Sequence, residues 1–185
     1  MYKICKTEQS AARQKAIEQG LLQAMLSRDY EDISISDLCD HLQIPRKSFY
    51  RYFSGKDGAL HALLDHTLLE FIQKDFEKSG HSAAVGELES FFTFWYDHRI
   101  LLKALVRSRL GGLLVERATY HAIHERMMPQ YLLTMPLEVQ QMSLTFVVCG
   151  LLSMVLQWHN QNYRESPGKM AQIATMMLTM PLLQN

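Results

Sequence analysis

The sequence predicts an all-α protein: a small three-helix head followed by a larger helical domain, with about nine helices in all. Three observations predict it. Apolar residues recur three and four apart along nearly the whole chain. The 185 residues include only nine glycines and five prolines, and β-branched runs are few. One short basic and aromatic stretch, residues 44–56, stands out from a chain that is otherwise balanced in charge.

The first helix is expected over 8–27, with Ile17, Leu21, Ala24 and Met25 facing in and Arg13, Lys15 and Glu18 facing out. Asp29-Tyr30-Glu31-Asp32 breaks the pattern. Ser34 caps a second helix whose inner face is Ile35, Leu38, Cys39 and Leu42. A cap there also leaves helix N–H groups aimed outward, where phosphate is attracted. Gln43-Ile44 is the turn. A third helix follows over about 45–52, with Pro45 in the first position, where a missing N–H costs nothing.

The helical period turns Phe49, Tyr52 and Phe53 to one inner side, and Arg46, Lys47, Tyr50 and Arg51 to others. The stretch 44–56 holds four basic residues and no acidic one. Arginine and lysine bind phosphate, arginine grips a guanine edge with two parallel donors, and a tyrosine hydroxyl donates to phosphate oxygen. A helix, a short turn and a second helix carrying such side chains make the helix-turn-helix layout that enters a DNA major groove.

Residues Ile33–Leu60 resemble the DNA-binding signature of the TetR family of transcriptional regulators. The core of the likeness is Phe49-Tyr50-Arg51-Tyr52-Phe53 with Lys56 and Leu60 at the family's spacing. It extends over about residues 8–64; beyond that only the helical plan agrees. The resemblance implies that Ser34 caps helix two and touches phosphate. It puts Arg46 and Lys47 on bases and backbone, and Ser48 and Tyr52 at the flanks of the groove-facing surface. Tyr50 and Lys56 match phosphate-contacting positions. Two departures stand out. Gln43 replaces the usual turn glycine, so a left-handed backbone there costs about 1 kcal/mol or somewhat more. Pro45 replaces a common serine cap and removes one hydroxyl.

The expected domains are a helix-turn-helix head over 1–56, a linking helix over 57–77, and a regulatory and dimerisation domain over 78–185. In the last, helices are expected over about 83–97, 98–109, 113–131 and 137–161, with a final helix from Ser166-Pro167 to Pro181. Gly111-Gly112 is read as an interruption between two of them. Leu144, Val148, Leu151, Val155 and Trp158 form a stripe with alternating steps of four and three, the seam of helix packing. With Met170, Ile173 and Met177 of the last helix, it is the expected dimer interface, and a four-helix bundle between two copies is what the resemblance implies. Phe91, Trp95, Met127, Tyr131 and Phe146 are the candidate lining of a ligand pocket, with plain core the favoured reading for each.

Composition narrows the function. Formal net charge is zero, which argues against indiscriminate coating of nucleic acid. Cys5, Cys39 and Cys149 lack metal spacing and fit a reducing, cytoplasmic setting. No signal peptide is expected from Tyr2 to Thr7. The apolar part of 139–163 is shorter than a membrane span, so a doubly buried helix is expected. His121 and His124 with Glu125 offer no convincing third ligand and read as surface histidines. No phosphate loop or nucleophile motif appears, so neither enzymatic activity nor a cofactor or metal is expected. The reading is a homodimeric regulator of transcription that binds double-stranded DNA. A repressor is favoured over an activator, controlled by a small apolar molecule or a protein partner. The alternatives are a ligand-independent DNA-binding or protein-interaction module, and a small helical enzyme.

Overall fold

The computed structural model describes residues 1–78, 84–125 and 133–179, with the backbone alone at 75–78 and 84–85. Nine α-helices lie among them. They are α1 (Glu8–Ser27), α2 (Ile35–His41), α3 (Arg46–Tyr50), α4 (Lys56–Lys78), α5 (Ala84–Asp97), α6 (Arg99–Arg107), α7 (Gly111–His124), α8 (Leu137–Asn160) and α9 (Pro167–Thr179). A 3-10 turn spans Tyr30–Asp32, where the sequence pattern breaks. Two boundaries differ from expectation. Pro45 is the residue before α3, with ψ 142°, so the helix starts at Arg46. Gly111 and Gly112 open α7 rather than interrupt it. The break comes earlier, at Arg109, which is left-handed with φ 57°.

The chain divides into two compact units, residues 1–67 with 103–117, and residues 68–102 with 118–185. The sequence-based boundary at 78 does not coincide with this division. The reason is long-range pairing. Arg107 donates to the carbonyls of Leu26 (3.1 Å) and Ser27 (3.0 Å) and pairs with Asp29 (3.3 Å). The Tyr30 N–H donates to Ser108 Oγ at 3.3 Å. These contacts tie the end of α6 to the head.

In the first unit, Leu21, Met25, Leu38, Phe49, Phe53, Leu60 and Leu64 are buried together. Gly20 permits the closest approach: a Cβ there would meet the Leu42 side chain at 2.6 Å. The N-terminal residues pair with the chain just after α3. Tyr2 bridges Phe53, Lys3 N–H donates to Tyr52 O (2.9 Å), and Ser54 N–H to Met1 O (3.1 Å). At Gly58 a Cβ would lie 2.5 Å from Met1 O.

A polar network fastens this unit internally. Arg117 holds Asp65 with two bonds, Nε to Oδ1 (2.7 Å) and a terminal nitrogen to Oδ2 (2.6 Å). The Tyr2 hydroxyl donates to the same Oδ2 at 2.9 Å. Burial, then this bond, raise the Tyr2 pKa. Nearby, His66 of α4 meets the buried Glu18 of α1 at 3.0 Å. The hydrogen bond with Glu18 raises the His66 pKa against desolvation. Sites of this kind link stability to pH. The imidazolium's contribution is complete below about pH 6.5, the unfolded value, and is lost as pH rises through the raised folded value. Between about pH 6 and 8, the thermal midpoint is therefore expected to fall further in the wild type than in His66→Gln. Parallel curves would contradict this pairing.

In the second unit, aromatic rings fill the centre. Phe92 and Trp158 meet edge-on at 5.9 Å, Trp158 and Tyr163 at 4.9 Å, and Phe71 and Phe91 at 5.6 Å. The Trp158 indole N–H donates to Glu165 O at 3.0 Å. Burial raises the Tyr163 pKa to about 12. His121 is buried, contrary to the surface reading. His124 is exposed and stacks on Tyr120 at 3.9 Å. No group of three metal-ligating side chains occurs among the described residues.

The predicted dimer stripe is corrected. Leu144, Val155, Trp158 and Met170 are buried within their own unit, and Val148, Leu151 and Ile173 are half-buried. The 4-3 stripe is thus the inward seam of α8. Of the predicted set, Met177 is exposed. Among the apolar side chains that α8 leaves open are Leu137 (65% exposed), Val139, Met142 (70%) and Phe146 (65%), the last three again three and four apart. At 24 residues, with an 18-residue stretch of mean hydropathy 1.7, α8 is long and apolar enough to cross a membrane, so the length argument from sequence does not hold. Only 17% of its most apolar stretch is buried within this chain, so α8 packs one face inward and is not the doubly buried helix expected from the sequence.

Candidate nucleic-acid interface

The site is built on α2, the turn and α3. Ser34 caps α2: its Oγ accepts the Asp37 N–H at 3.1 Å. The hydrogen bond from Ser34 comes first among the effects that lower the Asp37 pKa, and Arg28 pairs with the same carboxylate at 3.1 Å. An aspartate already complements this helix start, so Ser34 acts first as a cap. The turn runs through Gln43 at φ 53°, the left-handed backbone foreseen there. Non-glycine residues carry a steric cost in that region, and the Ile44 N–H bond to Cys39 O (3.0 Å) helps fix it.

Beyond the turn, α3 is short and anchored from one side. Phe49 is fully buried and packs on Phe53 with ring centroids 5.3 Å apart. That anchoring sets the direction of the rest. Arg46, Lys47 and Arg51 are exposed, Ser48 is half-buried, and Tyr50 is 55% exposed. None of these three cations has an ion-pair partner among the described residues. The result is a five-residue helix that buries an aromatic root and offers an uncompensated basic face, with a phenol beside it.

Two predicted positions belong elsewhere. Tyr52 is 5% exposed and lies against Phe53, as the helical period indicated and the resemblance did not. Lys56 is turned back on its own unit. Its ammonium donates to the carbonyls of Tyr30 and Glu31 and sits 4.2 Å from the Tyr30 ring centroid. It therefore fastens the 3-10 turn to α4. Next to it, the Tyr30 hydroxyl donates to Asp57 at 2.6 Å, and burial and this bond raise its pKa.

Of the three predicted ligand-pocket residues that are described, two come together and one does not. Phe91 and Trp95 pack within the ring cluster, 6.4 Å apart, and Phe146 is exposed. Met127 and Tyr131 lie outside the described residues. The Trp95 indole N–H is buried with no hydrogen-bond partner among the described residues. A cavity of about 470 Å³ lies instead along α4 and α5, lined by Phe71, Lys74, Glu89, Ser90, Thr93, Phe94 and Asp97, among others. Sequence spacing did not indicate it, because its wall mixes rings with charges from two helices.

No protein-family model matches the chain, and no curated protein resembles it by sequence. Solved structures do resemble it. The fatty acid degradation regulator FadR from Bacillus halodurans aligns over 98% of this chain and 100% of its own, with TM-score 0.61 and 11% identity. The TetR family repressor AlkX from Dietzia sp. strain DQ12-45-1b, implicated in biodegradation of n-alkanes, aligns over 89% and 92%, with TM-score 0.56 and 17% identity. DhaS, a dihydroxyacetone kinase operon activator, aligns over 90% and 93%, with TM-score 0.55 and 16% identity. At such low identities the likeness speaks to architecture. This chain has the all-helical TetR-like fold, with a helix-turn-helix in its N-terminal unit.

Proposed function

We propose that this protein is a sequence-specific DNA-binding regulator of transcription that acts as a homodimer on a near-palindromic site. The observation that carries the reading is the exposed, unpaired basic face of α3, seated by Phe49 in a helix-turn-helix. In it Arg46 reads base edges, Lys47 and Tyr50 hold the backbone, and Ser48 flanks the groove. Selection of duplex fragments by the full chain tests this. A two-fold related sequence motif should be enriched. Retention of duplexes without a common motif, or of none, would refute it.

Two heads require a pair of chains. The dimer face proposed is the open stripe Val139, Met142 and Phe146 of α8 with Met177 of α9. Gly150 lies on the exposed side too, and among the described residues nothing stands within 4 Å of a Cβ built there, so a second helix can approach closely. Because Met142 and Phe146 are largely exposed in their own chain, charge there leaves the fold intact. A Met142→Glu, Phe146→Glu variant is expected to sediment as a monomer with unchanged helicity. Each of four buried side chains in the pair is worth about 1.5–3 kcal/mol, so dimer affinity should fall more than about 100-fold. A variant that stays dimeric would place the interface elsewhere.

Repression is the proposed sign. Among the solved structures of like fold, one is a repressor and another an operon activator, which keeps activation as the second reading. A reporter behind the selected site separates the two. Control is proposed to come from a small molecule or protein partner bound by the C-terminal unit. The cavity along α4 and α5 has a volume typical of small-molecule sites. Such an effector acts only by binding one arrangement of the heads better than the other.

A further inference from the structure

The basic face of α3 is not the end of the cationic surface in the first unit. A crevice of about 260 Å³ lies beside it, walled by Arg13 of α1, Arg51 and Ser48, with Ile17, Leu42 and Tyr52 among its apolar lining. No acidic side chain lines it. Arg13 and Arg51 are both exposed, and neither has an ion-pair partner among the described residues. Of the other arginines of this unit, Arg28, Arg107 and Arg117 are committed to Asp37, Asp29 and Asp65, while Arg46 lies on the face of α3 itself. Two guanidinium groups on one crevice repel unless an anion joins them. The crevice is below the roughly 300–1,000 Å³ of small-molecule sites, which fits a single phosphate and its sugar better than a whole effector.

We propose that Arg13 and Arg51, with the Ser48 hydroxyl, form a phosphate clamp that carries the DNA backbone from α3 onto α1. This rests on the proposed DNA-binding function and extends it to a residue 33 positions before Arg46. The occupant is a backbone phosphate of the same duplex that α3 reads. Guanidinium groups hold phosphate oxygens in a two-pronged fork, and the apolar floor accepts the deoxyribose edge. A backbone contact fixes register and carries no base information.

The test is the salt dependence of binding. Affinities of wild type, Arg13→Gln, Arg51→Gln and Arg13→Lys are measured on the selected duplex and on a scrambled one, across about 50–300 mM salt. Each glutamine variant removes one prong from that single phosphate and should reduce the slope of log affinity against log salt by up to about 0.9 per head, or about 2 per dimer. It should weaken both duplexes by a similar factor, leaving their ratio unchanged. Arg13→Lys should restore most of the slope. A wild-type slope in Arg13→Gln overturns the clamp while leaving the α3 reading intact. So does a weaker affinity with unchanged slope, or a collapse of the ratio between duplexes. A wild type that binds neither duplex overturns both.

Discussion

Replacing Arg46 and Tyr50 together by alanine is expected to lower affinity for the selected duplex by about 1,000-fold or more. A good base contact is worth about 1–3 kcal/mol, and the pair of heads loses two of them at Arg46 together with two backbone contacts at Tyr50. The fold should not notice. Arg46 is exposed and unpaired among the described residues, and Tyr50 is 55% exposed, touching its own unit through the Phe49 ring. Dimer mass and thermal midpoint are therefore expected to match the wild type. Binding that survives the double substitution at moderate salt would mean that another surface meets DNA.

The largest effect on stability is expected from Asp65→Ala. The carboxylate is 1% exposed and receives both bonds of Arg117, itself only 20% exposed, as well as the Tyr2 hydroxyl. Removing it takes two charge-assisted bonds from a guanidinium that is only 20% exposed. Breaking a buried pair from one side costs about 3–5 kcal/mol, a large share of the roughly 5–15 kcal/mol that holds a domain folded. The urea midpoint should fall accordingly, and the N-terminal residues should become more open to protease as Tyr2 loses its anchor. A loss below about 1 kcal/mol would show that the pair is merely tolerated.

The head was the most legible part of the sequence because its signals are local. Ser34 caps three residues before Asp37, the turn sits next to α3, and Phe49 and Phe53 are four apart. The same periodicity misled in the C-terminal half. A 4-3 stripe on α8 marks a packed seam, but it does not say whether the partner is the same chain. Leu144, Val155 and Trp158 found theirs at home, while Phe146, read as pocket lining, faces out. Tyr52 and Lys56 show another limit. A family position gives the side chain's usual role. Here the ring packs beside Phe53, and the ammonium finds two carbonyls at Tyr30 and Glu31. The arginines at 13, 107 and 117 were silent, since their surroundings come from segments far away in the chain.

The central claim is that two copies set α3 into successive major grooves of one duplex. Footprinting of the selected duplex, with the mass of the complex measured in parallel, addresses it most directly. Two chains per duplex are predicted, protecting half-sites whose centres lie roughly 34–36 Å apart, one helical turn of DNA. One chain on an asymmetric site, or half-sites out of phase with the helical repeat, would contradict it.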